Sequence, residues 1–288
     1  MMAAQGDDNP PAGSVVGPVW INGQLRVSSD GLSFLDHGFV VGDGAFEALL
    51  IHHGRPFAVT RHLRRLHRSL QALEIEPPEE ASIRGGLEIV AASSGLETGR
   101  LRLTVTGGTS PLGTLRGDAG ATVVIAATTV ARPAAAESIV VCPWTRNERG
   151  ALVGVKSTSY AENVIALRYA RAAGAGEAIF ANSRGELCEG TGTNIFLVLG
   201  DQLLTPALSS GCLAGVTREL VLELTDAVEA DLPLGALAEA TEIFLTSTSR
   251  KVQPVAAVGD APVPSVPGPH TMAARDAYLR LLDQTLDP

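Results

Sequence analysis

The chain has 288 residues, of which 45% are hydrophobic, and it carries a net charge of −9 at pH 7. This length allows about two domains with a sizeable core. A nucleic-acid or anionic-membrane surface needs a basic face, so the acidic balance argues against both kinds of partner. No apolar run is long enough to span a bilayer.

The compartment is predicted from the cysteines and from the first residues. Cys142, Cys188 and Cys212 are odd in number and scattered, which suits a reducing compartment and gives no metal or disulfide signal. The start of the chain is acidic and rich in Pro and Gly, without a basic or apolar leader pattern. We therefore expect a cytoplasmic protein whose residues 1–14 form a disordered tail.

The first half of the chain predicts a small α+β domain over residues 15–130. Asn22-Gly23 separates two short apolar runs, which is a strong hairpin signal. A helix is predicted from about Thr60, because four leucines between positions 63 and 73 fall on one stripe. Further strands are predicted at 45–51, 101–106 and 121–127, and a weaker helix at 79–94.

The stretch 131–137 is predicted to link this domain to a larger one at 138–288. The larger domain is expected to have strands at 138–142, 177–181, 194–199, 202–204 and 242–246, and helices at 160–173, 215–225, 234–240 and 271–286. Strands and helices mix without a regular βαβ alternation. The predicted fold class is therefore α+β rather than doubly wound α/β.

Lysine is rare, since only Lys156 and Lys251 are lysines among the 22 cationic residues. Arginine cannot form an imine or release a proton near neutral pH, so each lysine is a chemical candidate. Lys156 follows the apolar run 151–155, where partial desolvation would lower its pKa as imine formation requires. The alternative for Lys156, and more strongly for Lys251, is a surface lysine with a buried stem.

Glu189 lies between an apolar pair and a glycine-rich bend that leads into the predicted strand 194–199. A carboxylate at such a place is able to hold a pyridine nitrogen protonated, as an electron-sink cofactor needs. The alternative is a turn carboxylate that caps local amides.

Three features suit a phosphate group. The segment 215–218 opens a predicted helix with a glycine, so its free amides are open to an anion, although Thr217 has the alternative of being only a cap. The turn 246–249 offers hydroxyl and amide donors. Arg65, which is off the leucine stripe, would add a fixed positive charge.

Taken together and in order, these segments resemble the fold-type IV pyridoxal-phosphate (PLP) enzymes. That family includes branched-chain aminotransferases, D-amino-acid aminotransferases and aminodeoxychorismate lyase. The resemblance covers positions 19–258 of the chain. Six motifs carry it: DHGFVVGDGAFE at 36–47, HLRRL at 62–66, VKS at 155–157, EGTGTNIF at 189–196, LAGVTR at 213–218 and FLTST at 244–248.

The resemblance implies a two-domain protomer with PLP in the interdomain cleft, and a homodimer in which a partner loop helps to close each site. It implies that Lys156 forms the Schiff base with the cofactor and moves the proton of the substrate. Glu189 is implied as the partner of the pyridine nitrogen. The other implied cofactor contacts are Arg65, Tyr160, Asn194, Leu213, Val216, Thr217, Ser247 and Thr248.

The substrate is less constrained by the motifs. Leu112 and Thr114 stand where D-amino-acid aminotransferases of the usual kind have an arginine and a histidine that grip a carboxylate. Arg102 keeps only the arginine of the branched-chain Tyr-x-Arg pattern, and it is predicted either to bind a carboxylate or to face solvent. Phe46 is predicted to line the substrate pocket, with a core role as the alternative.

None of the six histidines has metal spacing, so no metal site is predicted. A solvated position is expected for all of them except His37, which is predicted to support the loop of the first motif. His62 is accordingly placed on a helix surface.

Three functions remain open from the sequence. The leading hypothesis is a PLP-dependent aminotransferase that moves an amino group from an amino acid, or a primary amine, to a 2-oxo acid. The second is 4-amino-4-deoxychorismate lyase, which releases pyruvate and 4-aminobenzoate with the same lysine. The third is a non-catalytic interaction module, which predicts a colourless protein that shows no imine absorbance with PLP.

Overall fold

The computed structural model describes residues 11–27 and 31–288. Within them it has two sheets, seven α-helices and a short 3-10 helix at Leu208–Ser210. The strands are β1 (Val19–Ile21), β2 (Gln24–Arg26), β3 (Gly44–His52), β4 (Arg55–Pro56), β5 (Thr98–Thr106), β6 (Thr122–Thr128), β7 (Glu137–Arg146), β8 (Glu177–Asn182), β9 (Leu187–Gly190), β10 (Asn194–Leu199), β11 (Gln202–Pro206), β12 (Val228–Ala230), β13 (Glu242–Ser247), β14 (Lys251–Val258) and β15 (Ala261–Pro262). The helices are α1 (His37–Val40), α2 (Val59–Ala72), α3 (Glu80–Ser94), α4 (Ala161–Ala172), α5 (Val216–Leu224), α6 (Ala236–Glu239) and α7 (Pro269–Gln284).

The first sheet has six antiparallel strands in the order β2-β1-β6-β5-β3-β4. The predicted hairpin joins β1 to β2 through Asn22 and Gly23, whose φ angles of 45° and 88° lie in the left-handed region that this tight turn requires. The predicted leucine stripe of α2 is buried at Leu63, Leu66 and Leu70 in one core with side chains of β3 and α3. This core fixes α2 against β3, and both elements contribute side chains to the cleft described below.

The second sheet has nine strands in the order β12-β11-β10-β13-β14-β7-β8-β9, with β15 paired to β14. The pairs β7–β8, β7–β14 and β11–β12 are parallel, and the others are antiparallel. All five strands predicted in this half are present, and helices α4 to α7 begin and end within two residues of the predicted bounds. Strands β9, β12, β14 and β15 were not predicted.

The structure also bears on the two segments predicted to be irregular. Residues 1–10 of the predicted tail lie outside the described residues, whereas residues 11–14 are described. Gly13 N donates to Thr129 O at 3.0 Å and Thr129 N donates to Ser14 O at 3.0 Å, so the ordered chain begins before position 15. Strand β7 begins at Glu137, which shortens the predicted linker by one residue. No helix in the described part of the chain is both long and apolar enough to cross a membrane.

Candidate active site

A cavity of about 1150 Å³ is lined by side chains of both sheets. Phe46 and Arg102 reach it from β3 and β5 of the first sheet, and Glu189 and Thr246 reach it from β9 and β13 of the second. All twelve residues predicted at the site line this one cleft: Phe46, Arg65, Arg102, Lys156, Tyr160, Glu189, Asn194, Leu213, Val216, Thr217, Ser247 and Thr248. Segments far apart in sequence are therefore brought together as the motifs predicted, while the role of each residue remains a prediction.

Lys156 is held in place by its backbone. Its carbonyl accepts from Phe46 N at 2.9 Å, and its N–H donates to Ser69 Oγ at 3.2 Å, so β3 and α2 both fix it. The ammonium nitrogen lies 4.6 Å from the centre of the Phe46 ring. Desolvation in the cleft, reinforced by the positive charge of Arg65, lowers the pKa of Lys156 to about 8. The surface-lysine alternative does not hold for Lys156.

Glu189 occupies strand β9, with its side chain only 13% exposed. Its Oε2 accepts a hydrogen bond from Leu213 N at 2.9 Å. Arg146 Nε lies 3.3 Å from Oε1 and is too poorly aligned for a hydrogen bond, so the contact is an ion pair. Burial raises the pKa of Glu189, while Arg146 acts to lower it. The sequence did not reveal Arg146 as the counter-ion of this carboxylate.

The N-terminus of α5 faces the cleft without a side-chain cap, so its first amides are available to an anion. The preceding turn is tightly packed, because a Cβ at Gly215 would lie 2.0 Å from Asn194 Oδ1. Asn194 also donates from Nδ2 to Leu213 O at 2.8 Å. Asn194 therefore fixes the turn that leads into the helix, and glycine is required at position 215.

The turn after β13 brings three hydroxyl groups to the same cavity. Thr246 Oγ1 is buried and has no hydrogen-bond partner in the described residues, as expected of a group that waits for a ligand. The Thr248 hydroxyl donates to Ala48 O at 2.8 Å, which commits its proton to the first sheet. Any contribution of Thr248 to an anion must then come from its backbone N–H.

Arg65 belongs to a buried cluster that the sequence did not predict. Its Nε donates to Glu47 Oε1 at 2.8 Å, its Nη2 to Glu47 Oε2 at 2.6 Å, and its Nη1 to Ala214 O at 3.0 Å. His62 Nδ1 lies 2.7 Å from Glu47 Oε2. The prediction that His62 is solvated was wrong: its side chain is buried, because α2 turns it toward β3 rather than outward.

Tyr160 and a second buried carboxylate hold the loop after β9. Tyr160 donates its hydroxyl proton to Thr191 O at 2.9 Å. Glu177 accepts from Thr191 N at 3.0 Å and from the Thr193 hydroxyl at 3.2 Å. Burial raises the pKa of Tyr160, so its phenol stays protonated near neutral pH. Glu177 was not predicted, because nothing in the neighbouring sequence marks it as more than a strand residue.

The opposite wall of the cleft is built around Phe46. The Arg102 guanidinium lies 3.4 Å from the centre of the Phe46 ring, and the Tyr160 ring meets it edge-on at 5.3 Å. Arg102 also donates from Nε to Thr104 Oγ1 at 3.2 Å. No carboxylate of the described chain pairs with Arg102. Desolvation, with repulsion from Arg100, lowers the pKa of Arg102 to about 10, so it stays charged at neutral pH.

The cleft is positively charged although the whole chain carries −9. Among the residues that the structure describes, three carboxylates line it, those of Glu162, Glu177 and Glu189. Seven cationic side chains line it: Arg65, Arg100, Arg102, Arg146, Lys156, Arg171 and Arg250. A cleft lined by one sign of charge attracts ligands of the other sign, so this one suits anionic ligands.

Outside the cleft, one group of side chains in the described ranges has ligand atoms close enough to share a metal ion. His52, His53 and Asp283 each offer one atom, and these atoms lie within 4.8 Å of one another. The sequence separation of Asp283 hid this group from an analysis of spacing. Lys251 helps to lower the pKa of His52 and would oppose a bound cation, so we assign it no metal.

Comparison with known proteins identifies the family. A model of the family described as amino-transferase class IV matches residues 44–258, which include the cleft-lining segments from β3 to β14. The chain belongs to the class IV aminotransferases. It is 31% identical over 249 residues to a putative branched-chain-amino-acid aminotransferase of Methanocaldococcus jannaschii, covering 82% of this chain and 86% of that one. It is also 28% identical over 275 residues to the aminodeoxychorismate lyase of Bacillus subtilis, covering 90% of this chain and 93% of the lyase.

The fold is shared with solved structures of the same family. The branched-chain aminotransferase of the thermophilic archaeon Thermoproteus uzoniensis, solved with norvaline, superposes with a TM-score of 0.86. The alignment covers 93% of this chain and 95% of that chain at 26% identity. The predicted fold-type IV architecture is thereby confirmed.

Class IV aminotransferases use PLP, and the residues present here fit that cofactor. An amine with a pKa of about 8 suits attachment of an aldehyde, and a buried carboxylate at Glu189 suits a protonated ring nitrogen. The uncapped amides of α5, the unpartnered Thr246 hydroxyl and the Arg65 guanidinium suit a phosphate.

Proposed function

We propose that the enzyme is a PLP-dependent aminotransferase that transfers an amino group from an amino acid, or a primary amine, to a 2-oxo acid. The observation that carries this proposal is the Lys156 amine, desolvated in a cationic cleft and flanked by Phe46. When bound, PLP supplies an electron sink for negative charge that develops at the substrate α-carbon. Glu189 would keep that sink effective by holding the ring nitrogen protonated.

Lys156 is proposed to act first as the covalent anchor and then as the proton carrier. With a pKa of about 8, a useful fraction of the amine is neutral near pH 7–8, so it is able both to attack an aldehyde and to accept a proton. Its backbone hydrogen bonds to β3 and α2 restrict Nζ to one part of the cleft. A fixed base of this kind contributes typically about 10²–10⁴ in rate.

Arg102 is proposed to bind a carboxylate of the substrate. Its charge is partly desolvated and unpaired in the described chain, and its guanidinium is oriented by the Phe46 ring and by Thr104. A carboxylate would restore the missing ion pair, which is why Arg102 rather than a solvated arginine is the candidate. Leu112 and Thr114 do not line the cleft of their own protomer, so they offer no competing carboxylate grip there.

The lyase remains the second candidate because the similarity to the Bacillus subtilis lyase extends over 90% of this chain. Its substrate is also an anion, so the cationic cleft suits either reaction. The two reactions differ in one requirement that is easily measured, namely the 2-oxo acid acceptor that only the transferase needs.

The PLP-saturated enzyme should be mixed separately with D- and L-amino acids, (R)- and (S)-amines, and aminodeoxychorismate while the cofactor absorbance is recorded. Conversion to the pyridoxamine form by an amino acid or amine supports the transferase. Release of pyruvate and 4-aminobenzoate from aminodeoxychorismate without an acceptor supports the lyase instead. A protein that shows no imine absorbance after PLP is added refutes both and leaves the interaction module.

We also propose that the enzyme is a homodimer in the cytoplasm. Phe34 and Phe39 are 72% and 79% exposed and line a mainly apolar groove of about 450 Å³, where a second copy of the chain would bury them. The three cysteines are buried free thiols, as a reducing compartment favours. Light scattering should give twice the chain mass, and Phe34→Asp should shift it toward the monomer. A wild-type monomer at micromolar concentration would contradict the proposal.

A further inference from the structure

A single buried histidine joins two segments beside the cleft. His37 begins α1, in the segment 36–43 that supplies Phe39 and Gly42 to the cleft wall. Its ring is within hydrogen-bond distance of the loop 107–120, which connects β5 to β6. That loop is mostly exposed, so its attachment to the cleft wall depends on few contacts.

Both ring nitrogens of His37 face groups that only accept hydrogen bonds. Nδ1 lies 2.7 Å from Asp43 Oδ2, and Nε2 lies 3.0 Å from the carbonyl oxygen of Gly113. A neutral imidazole has one N–H and satisfies only one of these two acceptors. The imidazolium has two N–H groups and satisfies both. The arrangement around His37 is therefore complete only when the ring carries a proton on each nitrogen.

The charged groups around His37 are those of Asp43, Arg116, Asp36 and Glu74. Asp43 pairs with Arg116 through two hydrogen bonds, of 2.9 Å from Nε and 2.8 Å from Nη2. The Asp36 carboxylate is occupied by Gly38 N and the Thr106 hydroxyl. Arg116 also donates to the carbonyl of Glu74 at 2.7 Å, and the Glu74 carboxylate raises the pKa of Arg116.

These neighbours favour the charged ring. The hydrogen bond to Asp43 raises the pKa of His37 above its usual value, against the opposing effects of burial and of Arg116. Arg116 remains paired with Asp43 whether or not His37 is charged, so deprotonation removes one arm of the attachment rather than all of it. The arm lost is the one to Gly113, because the remaining ring proton is best placed on Nδ1 facing the Asp43 carboxylate.

We propose that His37 is a positioning residue whose imidazolium fastens the loop 107–120 to the cleft-lining segment 36–43, and that loss of the ring proton releases the loop at Gly113. The position of the loop does not depend on the reaction that the enzyme catalyses. Only the effect on substrate binding rests on the proposed function, and the test below measures the loop separately.

Hydrogen exchange of the PLP-saturated protein tests the attachment directly. Deuterium uptake of peptides covering 107–120 should be measured from pH 6 to 9.5 and corrected for the intrinsic pH dependence of exchange. Protection of the loop should fall about tenfold as His37 loses its proton, the effect of one charge-assisted hydrogen bond. Peptides of α3, which makes no contact with His37, should keep constant protection.

Three replacements of His37 separate its charge from its geometry. His37→Arg keeps a permanent cation, so protection of the loop should be high and independent of pH. His37→Gln places an uncharged donor near the Nε2 position and should also remove the pH dependence. His37→Asn keeps only the Nδ1 side, so the loop should be released at every pH.

The KM of the best substrate, measured over the same range, should rise with release of the loop in wild type and stay flat in His37→Arg, while kcat changes little. Loop protection that is flat in wild type from pH 6 to 9.5 would overturn the inference. The same pH dependence in His37→Arg would overturn it as well. A normal exchange result with no turnover of any substrate would instead count against the proposed aminotransferase and leave the role of His37 standing.

Discussion

Replacing Glu47 by glutamine should destabilise the protein strongly, because it leaves Arg65 buried without its counter-ion. The two side chains are 0% and 6% exposed and share two hydrogen bonds, of 2.8 and 2.6 Å. Breaking a buried pair by removing one partner costs about 3–5 kcal/mol. The pKa of Glu47 leads to a similar figure, since a value of about 2 instead of 4.5 corresponds to about 3 kcal/mol.

Urea unfolding at pH 7 measures the loss, and the double variant Glu47→Gln with Arg65→Met serves as the matched control. If the cost comes from an unpaired charge, removing that charge as well should recover at least half of the stability. The coupling also has a pH signature with a definite sign. The folded-state pKa of Glu47 is depressed, so its contribution is present above about pH 4.5 and is lost as the pH falls toward 2.

The cofactor provides a second readout, because Arg65 is proposed to contact the phosphate. Glu47→Gln should weaken binding of PLP more than binding of pyridoxal, which lacks the phosphate, as measured by cofactor absorbance. The explanation fails if Glu47→Gln loses less than about 1 kcal/mol. It also fails if the double variant is as unstable as the sum of the two single variants, since independent sites add in this way.

Three further predictions concern the chemistry of the cleft. Lys156→Ala should abolish turnover yet retain noncovalent PLP, and borohydride should label the wild-type peptide that contains Lys156 but nothing in the variant. The rate of PLP attachment to wild type should rise with pH and level off above about pH 8, because the amine is then neutral; a rise that continues to pH 10 would indicate an ordinary lysine. Glu189→Gln should lower kcat by about 10²–10³, the loss expected of a preorganised electrostatic partner, and a near-normal rate would refute its role. Arg102→Gln should raise the KM for a carboxylate substrate by about 10- to 100-fold, whereas Arg100→Gln, its neighbour on the same strand, should have a clearly smaller effect; equal effects would mean that only the general field of the cleft matters.

Most of the fold follows from local patterns in the sequence. The hairpin at Asn22-Gly23 and the leucine stripe of α2 are local signals, and both are found in the structure. Strand β14 is the clearest failure. It contains Pro254 and lies between β13 and β7, although a proline normally argues against a central strand. Its place is determined by pairing with distant strands, which no local pattern records.

The candidate site was predictable where a motif fixes a residue type, and less so where a buried partner fixes its geometry. Lys156 and Glu189 stand in recognisable segments and meet in one cleft. Arg146, which pairs with Glu189, lies 43 positions earlier on β7, and only the sheet brings the two together. His62 looked like a surface residue because a helix residue beside charged neighbours is usually solvated. Burial of Glu47 on the facing strand reverses that expectation.

The acidic balance of the chain and the cationic lining of the cleft lead to one physical conclusion. A net charge of −9 describes the long-range field, which repels anions at low ionic strength, whereas the seven cations of the cleft act within a few ångströms of a bound ligand. Glu47 neutralises Arg65 and Glu189 offsets Arg146, but Lys156 and Arg102 have no ion-pair partner in the described residues. The unbalanced charge is therefore concentrated where the amine and the proposed carboxylate site face the same Phe46 ring. A substrate with a carboxylate on one side of its reacting carbon satisfies that geometry, and a neutral amine leaves Arg102 unpaired. Amino acids should accordingly be preferred over simple amines.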